Sequence, residues 1–331
     1  MRTSALIGSA VLAMTALAGA GSAAAEEIEA PGPQGALHGT LLPPARGGPL
    51  LLIIPGSGPT DRDGNNPAGV RAASYRLLAE ALAARGIGSV RIDKRGMFAS
   101  AGAVADPNAV TISAYADDVR SWIGAIRAKT GAACIWLAGH SEGGLVALAA
   151  AQPAEGRDAQ GLCGVILMST AGRPLGAVMR EQLKANPANA PVLDQALGAL
   201  DRLEKRESVD VSALHPALQA LFAPQVQPYF MDMLVRDPAP LAARIALPML
   251  IVQGDRDLQV SLADAHALHG AQPNARLAIL PGITHALKRV ASDDRAANMA
   301  TYTDPALPIA PEVVAAIADF ITSHSGRKEP R

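Results

Sequence analysis

Aromatic side chains make up only 3% of this 331-residue chain. A core with so few rings has to be filled by Ala, Leu, Val and Ile. Cysteine is almost absent too, with two residues. Two cysteines cannot form a zinc ribbon or a disulfide scaffold, but they can form one disulfide. Neither sign of charge dominates, since 29 Lys+Arg stand against 30 Asp+Glu. No Lys/Arg block of the kind that grips a phosphate backbone occurs, so nucleic acid is not expected as a partner. Past the N-terminal leader no apolar run reaches the ~18 residues of a membrane span. What the chain has in plenty is apolar residues, 49% against 18% charged, which excludes an intrinsically disordered protein. At about 150 residues per domain the length suits one large domain or two small ones.

The leader itself has a recognisable pattern. Arg2 precedes an apolar stretch from Ala5 to Leu17, small residues follow, and Ala23-Ala24-Ala25 stands before Glu26-Glu27. That is an n-region, an h-region and an A-x-A cleavage site. Residues 1–25 are therefore expected to be a signal peptide. Cleavage near Ala25 would leave an exported protein, periplasmic or secreted, with no stable membrane span. An uncleaved anchor is the weaker reading, because Gly and Ala fill the later part of the stretch and partition poorly into lipid.

Beyond the leader, short apolar runs alternate with helical patterns. Strands are expected at Glu27–Ala30, Ala36–Leu42, Leu50–Ile54, Ser89–Ile92, Cys134–Ala138, Val165–Met168, Met249–Val252 and Leu277–Leu280. Runs such as Leu50–Ile54 are apolar at every position, as strands buried on both faces are. Helices are expected at Tyr75–Ala84, Ile112–Arg127, Leu145–Ala151, Leu262–Leu268 and Pro311–Ile321. This alternation predicts an α/β fold with a mostly parallel sheet covered on both faces. Residues 173–244 break the rhythm, being helical in pattern without a buried-strand run. They read as a helical insertion between the sixth and seventh strands.

The sharpest chemical signal is Gly139-His140-Ser141-Glu142-Gly143, a G-x-S-x-G motif with a strand before it and a helix after it. A serine on such a turn projects its hydroxyl at the C-terminal edge of the sheet. Gly139 and Gly143 remove side chains that would collide there. The Glu142 amide, at the helix N-terminus, can donate to a developing oxyanion. A second donor is expected from Pro55-Gly56-Ser57-Gly58, at the backbone N–H of Ser57. A dinucleotide loop is a weak reading there, because the third glycine of G-x-G-x-x-G would be Asp61. A serine nucleophile needs a base and the base an orienter. His285 follows the last strand, and Asp255 and Asp257 follow the strand before it. His140 neighbours the serine but points the wrong way along the turn. His266 and His269 lack a third ligand, so no metal is expected. Asp61-x-Asp63-x-Asn65 imitates an EF-hand start but lacks its glycine and final glutamate, and reads as loop bracing. Asp93-Lys94-Arg95-Gly96 reads the same way, with Arg95 paired to a carboxylate.

Together these residues resemble the α/β-hydrolase superfamily, and within it exported bacterial serine esterases of the serine aminopeptidase-like branch. The stretches that carry the resemblance are PGSGPTDRDGN at Pro55–Asn65, DKRGMFAS at Asp93–Ser100, GHSEGG at Gly139–Gly144, GDRDLQV at Gly254–Val260 and GITHALK at Gly282–Lys288. The resemblance implies an α/β-hydrolase core over residues 26–172 and 245–331, with residues 173–244 as a helical cap over an acyl pocket. It makes Ser141 the nucleophile, His285 the base and Asp257, in preference to Asp255, the acid. It puts the oxyanion amides at Ser57 and Glu142. Phe98 departs from the D-x-R-G-x-G-x-S pattern, where many relatives have a second glycine, and is expected to reshape a loop near the pocket. Cap residues Leu221, Phe222, Phe230 and Leu234 are expected to line that pocket and favour an apolar acyl or aryl group. The implied activity is hydrolysis of a small-molecule carboxylic ester without a cofactor. An amidase or aminopeptidase would use the same triad, the latter needing an anion such as Glu142, Asp232 or Asp237 for the free amine. A non-catalytic binding protein of the same fold is the remaining alternative. In this topology the strands of Cys134 and Cys163 are parallel neighbours. At about 4.8 Å spacing they allow a disulfide, which an oxidising compartment would preserve; the alternative is two buried thiols.

Overall fold

The computed structural model describes residues 24–45, 47–153 and 161–325. The expected signal peptide thus lies almost entirely outside the described residues. Among them, no helix is long and apolar enough to cross a membrane.

Eight strands form one sheet: β1 (Glu26–Pro31), β2 (Ala36–Leu42), β3 (Leu50–Ile54), β4 (Gly88–Ile92), β5 (Ile135–His140), β6 (Leu162–Met168), β7 (Met249–Gly254) and β8 (Arg276–Leu280). Their spatial order is β1-β2-β4-β3-β5-β6-β7-β8. β1 and β2 pair antiparallel, and β2 meets β4 antiparallel; every later pairing is parallel. β3, β4, β5 and β7 are buried along their whole length, because helices cover both faces.

On one face, α1 (Ser74–Ala83) packs beside the C-terminal helix, whose residues Val313, Ile317 and Ile321 repeat at helical spacing and are fully buried. On the other face lie α2 (Ile112–Thr130) and α3 (Glu142–Ala150). Thr111 caps α2 by accepting the Ala114 N–H at 3.1 Å, and Gly131 ends it with φ +73°. Between β6 and β7 come α4 (Leu175–Ala185), α5 (Leu193–Glu204), α6 (Pro216–Gln219), α7 (Gln227–Leu234) and α8 (Pro238–Ala243). This inserted segment has an apolar core of its own, built from Val192, Leu200, Leu203, Leu218 and Phe222. The chain closes through α9 (Leu262–Ala271), α10 (Arg295–Ala300) and α11 (Pro311–Ser325). α10 was not expected from the sequence; it starts on Asp294, which accepts the N–H groups of Ala296 and Ala297. α3 begins at Glu142, three residues before the first periodic apolar position, since two glycines hide its start.

Cys134 and Cys163 form a disulfide with their Cα atoms 5.2 Å apart. It sits at the N-terminal end of β5 and β6, at the opposite end of β5 from Ser141.

Candidate active site

β5 leads straight into Ser141, whose φ of +54° and ψ of −120° are strained for a residue with a side chain. Two glycines permit the turn. A Cβ on Gly139 would stand 2.2 Å from the Gly143 carbonyl oxygen by ideal geometry, and a Cβ on Gly143 would stand 2.2 Å from the Ile54 oxygen. The loop after β3 is pressed against the serine, since a Cβ on Gly56 would lie 3.3 Å from Ser141 Cβ. Among the described residues, neither the Ser57 nor the Glu142 backbone N–H donates to a protein acceptor. Both amides therefore remain available beside Ser141.

His285 sits in the loop after β8. Its Nδ1 lies 2.8 Å from Asp257 Oδ2. Asp257 Oδ1 accepts the N–H groups of Gln259 at 2.8 Å and Val260 at 2.9 Å. Burial alone would push this carboxyl up. His285 and those two N–H donors outweigh burial and hold it below the ordinary carboxylate range. Asp257 is therefore ionised at neutral pH and fixes the ring with Nε2 left over. Asp255 does something else: its Oδ1 accepts the Gly282 N–H at 2.6 Å and ties the ends of β7 and β8 together. No Ser141–His285 hydrogen bond is formed among the described residues. Both groups line one small cavity, and such bonds are often long until substrate binds.

His140, next to the serine in sequence, is buried and bonded at both ring nitrogens. Its Nε2 lies 2.9 Å from the His285 carbonyl oxygen, and its Nδ1 lies 2.9 Å from Tyr75 Oη. Tyr75 Oη in turn accepts the Gly56 N–H at 3.0 Å. With Nε2–H donating and Nδ1 accepting, neutral His140 links the Gly56–Ser57 loop to the backbone of His285. Burial, reinforced by His285, pushes the His140 pKa down to about 3.

Lys94 does more than brace its loop. Its Nζ donates to the Gly56 oxygen at 2.7 Å and to Glu142 Oε1 at 3.2 Å, with both side chains buried. The remaining bracing is as expected. Asp61 accepts the N–H groups of Asp63 and Asn65, Arg62 grips Asp93, and Arg95 grips Asp118. Among the described residues no cluster could hold a metal ion. Phe98 takes φ +47°, the left-handed region glycine favours, and its side chain is exposed.

A cavity of about 500 Å³ opens beside Ser141 and Glu142. Leu175, Val178, Met179, Phe230 and Met233 from the inserted helices give it an apolar wall. Of the four inserted residues expected there, Phe230 alone lines it. Phe222 and Leu234 are buried in the segment's own core, and Leu221 is exposed. The correction has a plain cause: a segment that must fold over a cavity needs its largest apolar residues for itself.

Comparisons with known proteins agree with this geometry. Residues 69–289, more than half the chain, match the family described as Serine aminopeptidase, S33. Esterase EstD from Thermotoga maritima is 28% identical over 236 residues, which cover 69% of this chain and 52% of EstD. The chain thus spans about half the length of that curated relative. Among solved structures, the alpha/beta hydrolase GrgF from Penicillium sp. sh18 superposes with a TM-score of 0.59 at 20% identity, covering 91% of this chain and 99% of GrgF. A thermophilic esterase from Thermogutta terrifontis superposes with a TM-score of 0.53 at 20% identity, with the same 91% and 99% coverage. The shared architecture is the α/β-hydrolase fold.

Proposed function

Because this chain belongs to the serine aminopeptidase S33 family of α/β hydrolases, we propose that it hydrolyses carboxylic esters through an acyl-enzyme on Ser141. The observation that carries the reading is the Asp257–His285 pair at 2.8 Å, set beside a strained serine and two unengaged backbone amides. His285 Nε2 takes the Ser141 proton as the hydroxyl attacks the ester carbonyl. The Ser57 and Glu142 amides hold the oxyanion, the alcohol leaves with the proton, and water then clears the acyl group. Residues 173–244 act as the cap, and the 500 Å³ cavity beneath it receives an apolar acyl or aryl group.

Ester cleavage is favoured over aminopeptidase action by the charges in that cavity. A free α-amine needs an unpaired anion. Glu142 is the one carboxylate lining the cavity among the described residues, and Lys94 already engages it. Asp232 is taken by Arg236 at 2.9 Å and by the Ile112 N–H at 2.8 Å. Asp237 is exposed and caps α8. We also propose export to an oxidising compartment; the Cys134–Cys163 disulfide supports this. The test is turnover of p-nitrophenyl esters against aminoacyl p-nitroanilides. Ester turnover should dominate and vanish in Ser141→Ala. Faster release from the aminoacyl anilides would replace the esterase reading with the peptidase one.

A further inference from the structure

Two cavities meet at Ser141, and they differ in which catalytic groups line them. The 500 Å³ cavity is lined by Ser57, Ser141 and Glu142, and His285 is not among its walls. A second cavity of about 190 Å³ is lined by Ser57 and Ser141 together with His285. The base must reach the oxygen of the leaving alcohol to protonate it, so that alcohol belongs on the side of His285. The larger cavity then holds the acyl group and the smaller one the alcohol.

The smaller cavity has its own chemistry. Thr60, Asn66 and Tyr302 bring hydroxyl and amide groups to its wall, while Val70 and Ala286 supply short apolar surfaces. Gln259 donates to Tyr302 Oη at 3.1 Å and so orients the phenol. Burial pushes that phenol well above its ordinary range, which keeps it a hydrogen-bond donor at any working pH. Thr60 Oγ1 donates to the Ser57 carbonyl at 2.9 Å and presents its lone pairs as acceptors. At roughly 30 Å³ of liquid volume per water, the cavity has room for an alcohol of about six heavy atoms. Its walls suit a small polyol better than a long or aryl alcohol.

A chamber that releases an alcohol after acylation also admits one before deacylation, because the two steps are the same reaction run in opposite directions. We propose that the protein transfers its acyl group to small polyhydric alcohols as well as to water, with this chamber as the acceptor site. The proposal rests on the Ser141 acyl-enzyme argued above. In the transfer step the acceptor hydroxyl gives its proton to His285 Nε2 while its oxygen bonds to the acyl carbon. The tetrahedral intermediate then collapses. The bond from the acyl carbon to Ser141 Oγ breaks, and Oγ takes the proton back from His285. No other reagent is consumed.

The experiment follows a p-nitrophenyl ester of a medium-length acid, with glycerol added to the buffer. Nitrophenol release reports acylation, and the ratio of glyceryl ester to free acid reports how the acyl-enzyme partitions. Expected is a ratio above the glycerol-to-water mole ratio by at least about tenfold, equivalent to roughly 1.4 kcal/mol of preferential binding. Benzyl alcohol at the same mole ratio should give no such excess. Thr60→Val and, separately, Tyr302→Phe should each lower the glycerol partition several-fold; the ratio is read on a common acyl-enzyme, so acylation rate does not enter it. Nitrophenol release with glyceryl ester formed only at the mole ratio, or an equal excess with benzyl alcohol, overturns the acceptor site and leaves the esterase reading intact. No nitrophenol release at all overturns both.

Discussion

Acid should weaken this fold through one buried ring. His140 is held neutral between Tyr75 Oη and the His285 carbonyl, and its pKa is pushed down to about 3 by burial and by His285. In the unfolded chain the same ring titrates near 6.5. Between those values the unfolded state binds the proton and the folded state does not. Stability therefore falls as pH falls, by about 1.4 kcal/mol per unit once the pH is well below 6.5. Integrated from pH 7, the loss is about 2 kcal/mol at pH 5 and about 3 kcal/mol at pH 4. Asp257 does not interfere between pH 7 and pH 5: its contribution starts to fade only near the unfolded carboxylate pKa of about 3.9 and is lost as pH falls through its depressed folded value. The assay is urea unfolding of wild type and His140→Gln at pH 7 and pH 5. Glutamine can still accept and donate but cannot take up the proton. The variant should be less stable at pH 7, yet lose about 2 kcal/mol less than wild type on going to pH 5. Equal losses in the two proteins would refute the argument that His140 is the acid-sensitive group.

The two aspartates after β7 should separate cleanly. Asp257→Asn should cut kcat by about 10⁴, as losing the orienter of a triad histidine does, whereas Asp255→Ala should change kcat less than about tenfold but cost about 1–3 kcal/mol of stability, because the Gly282 N–H loses its acceptor. Cys134→Ala with Cys163→Ala should cost about 3–4 kcal/mol in the chain-entropy view for a separation of 29 residues, lowering Tm while leaving kcat and KM at 25 °C as they were. Lys94→Met alone strands the buried Glu142 carboxylate and should cost about 3–5 kcal/mol; adding Glu142→Leu should recover a large part of it in urea unfolding.

β3, β5 and β7 could be read from the sequence because each is an apolar run stopped by Pro or Gly, and burial on both faces leaves little polar to blur it; β1 and β2 instead alternate buried with more open positions. Ser141 and His285 were legible for a related reason: each lies within a few residues of a strand's C-terminal end, where the topology gathers side chains. Choosing Asp257 over Asp255 required resemblance, since the two are separated by one residue on the same loop and differ only in what their oxygens meet. The network of Gly56, Tyr75, His140 and His285 was invisible. Its bonds span 19, 65 and 145 residues, and no local pattern encodes them. Lys94 left one trace, a lysine two residues after a buried strand and therefore at the same sheet edge as the serine. The inserted segment misled in a specific way. Helical spacing puts Phe230 and Leu234 of α7 on one face, but two apolar surroundings compete for it: Leu234 joins the segment's own core, with Phe222 from the turn after α6, while Phe230 reaches the cavity.

The order in which the catalytic groups occur along the chain also bears on biogenesis. The serine is made early, and the carbonyl that His140 holds on the His285 backbone arrives 145 residues later. β8 is an edge strand, added last to the sheet, and the loop carrying His285 follows it. A chain emerging from the ribosome can complete most of the sheet and still lack the proposed base, which arrives only with the loop after β8. α11 then closes over Trp136 of β5, the strand that carries the serine, through an edge-on contact with Phe320. The proposed triad is thus assembled only when the last strand of the sheet and the loop beyond it join strands made much earlier.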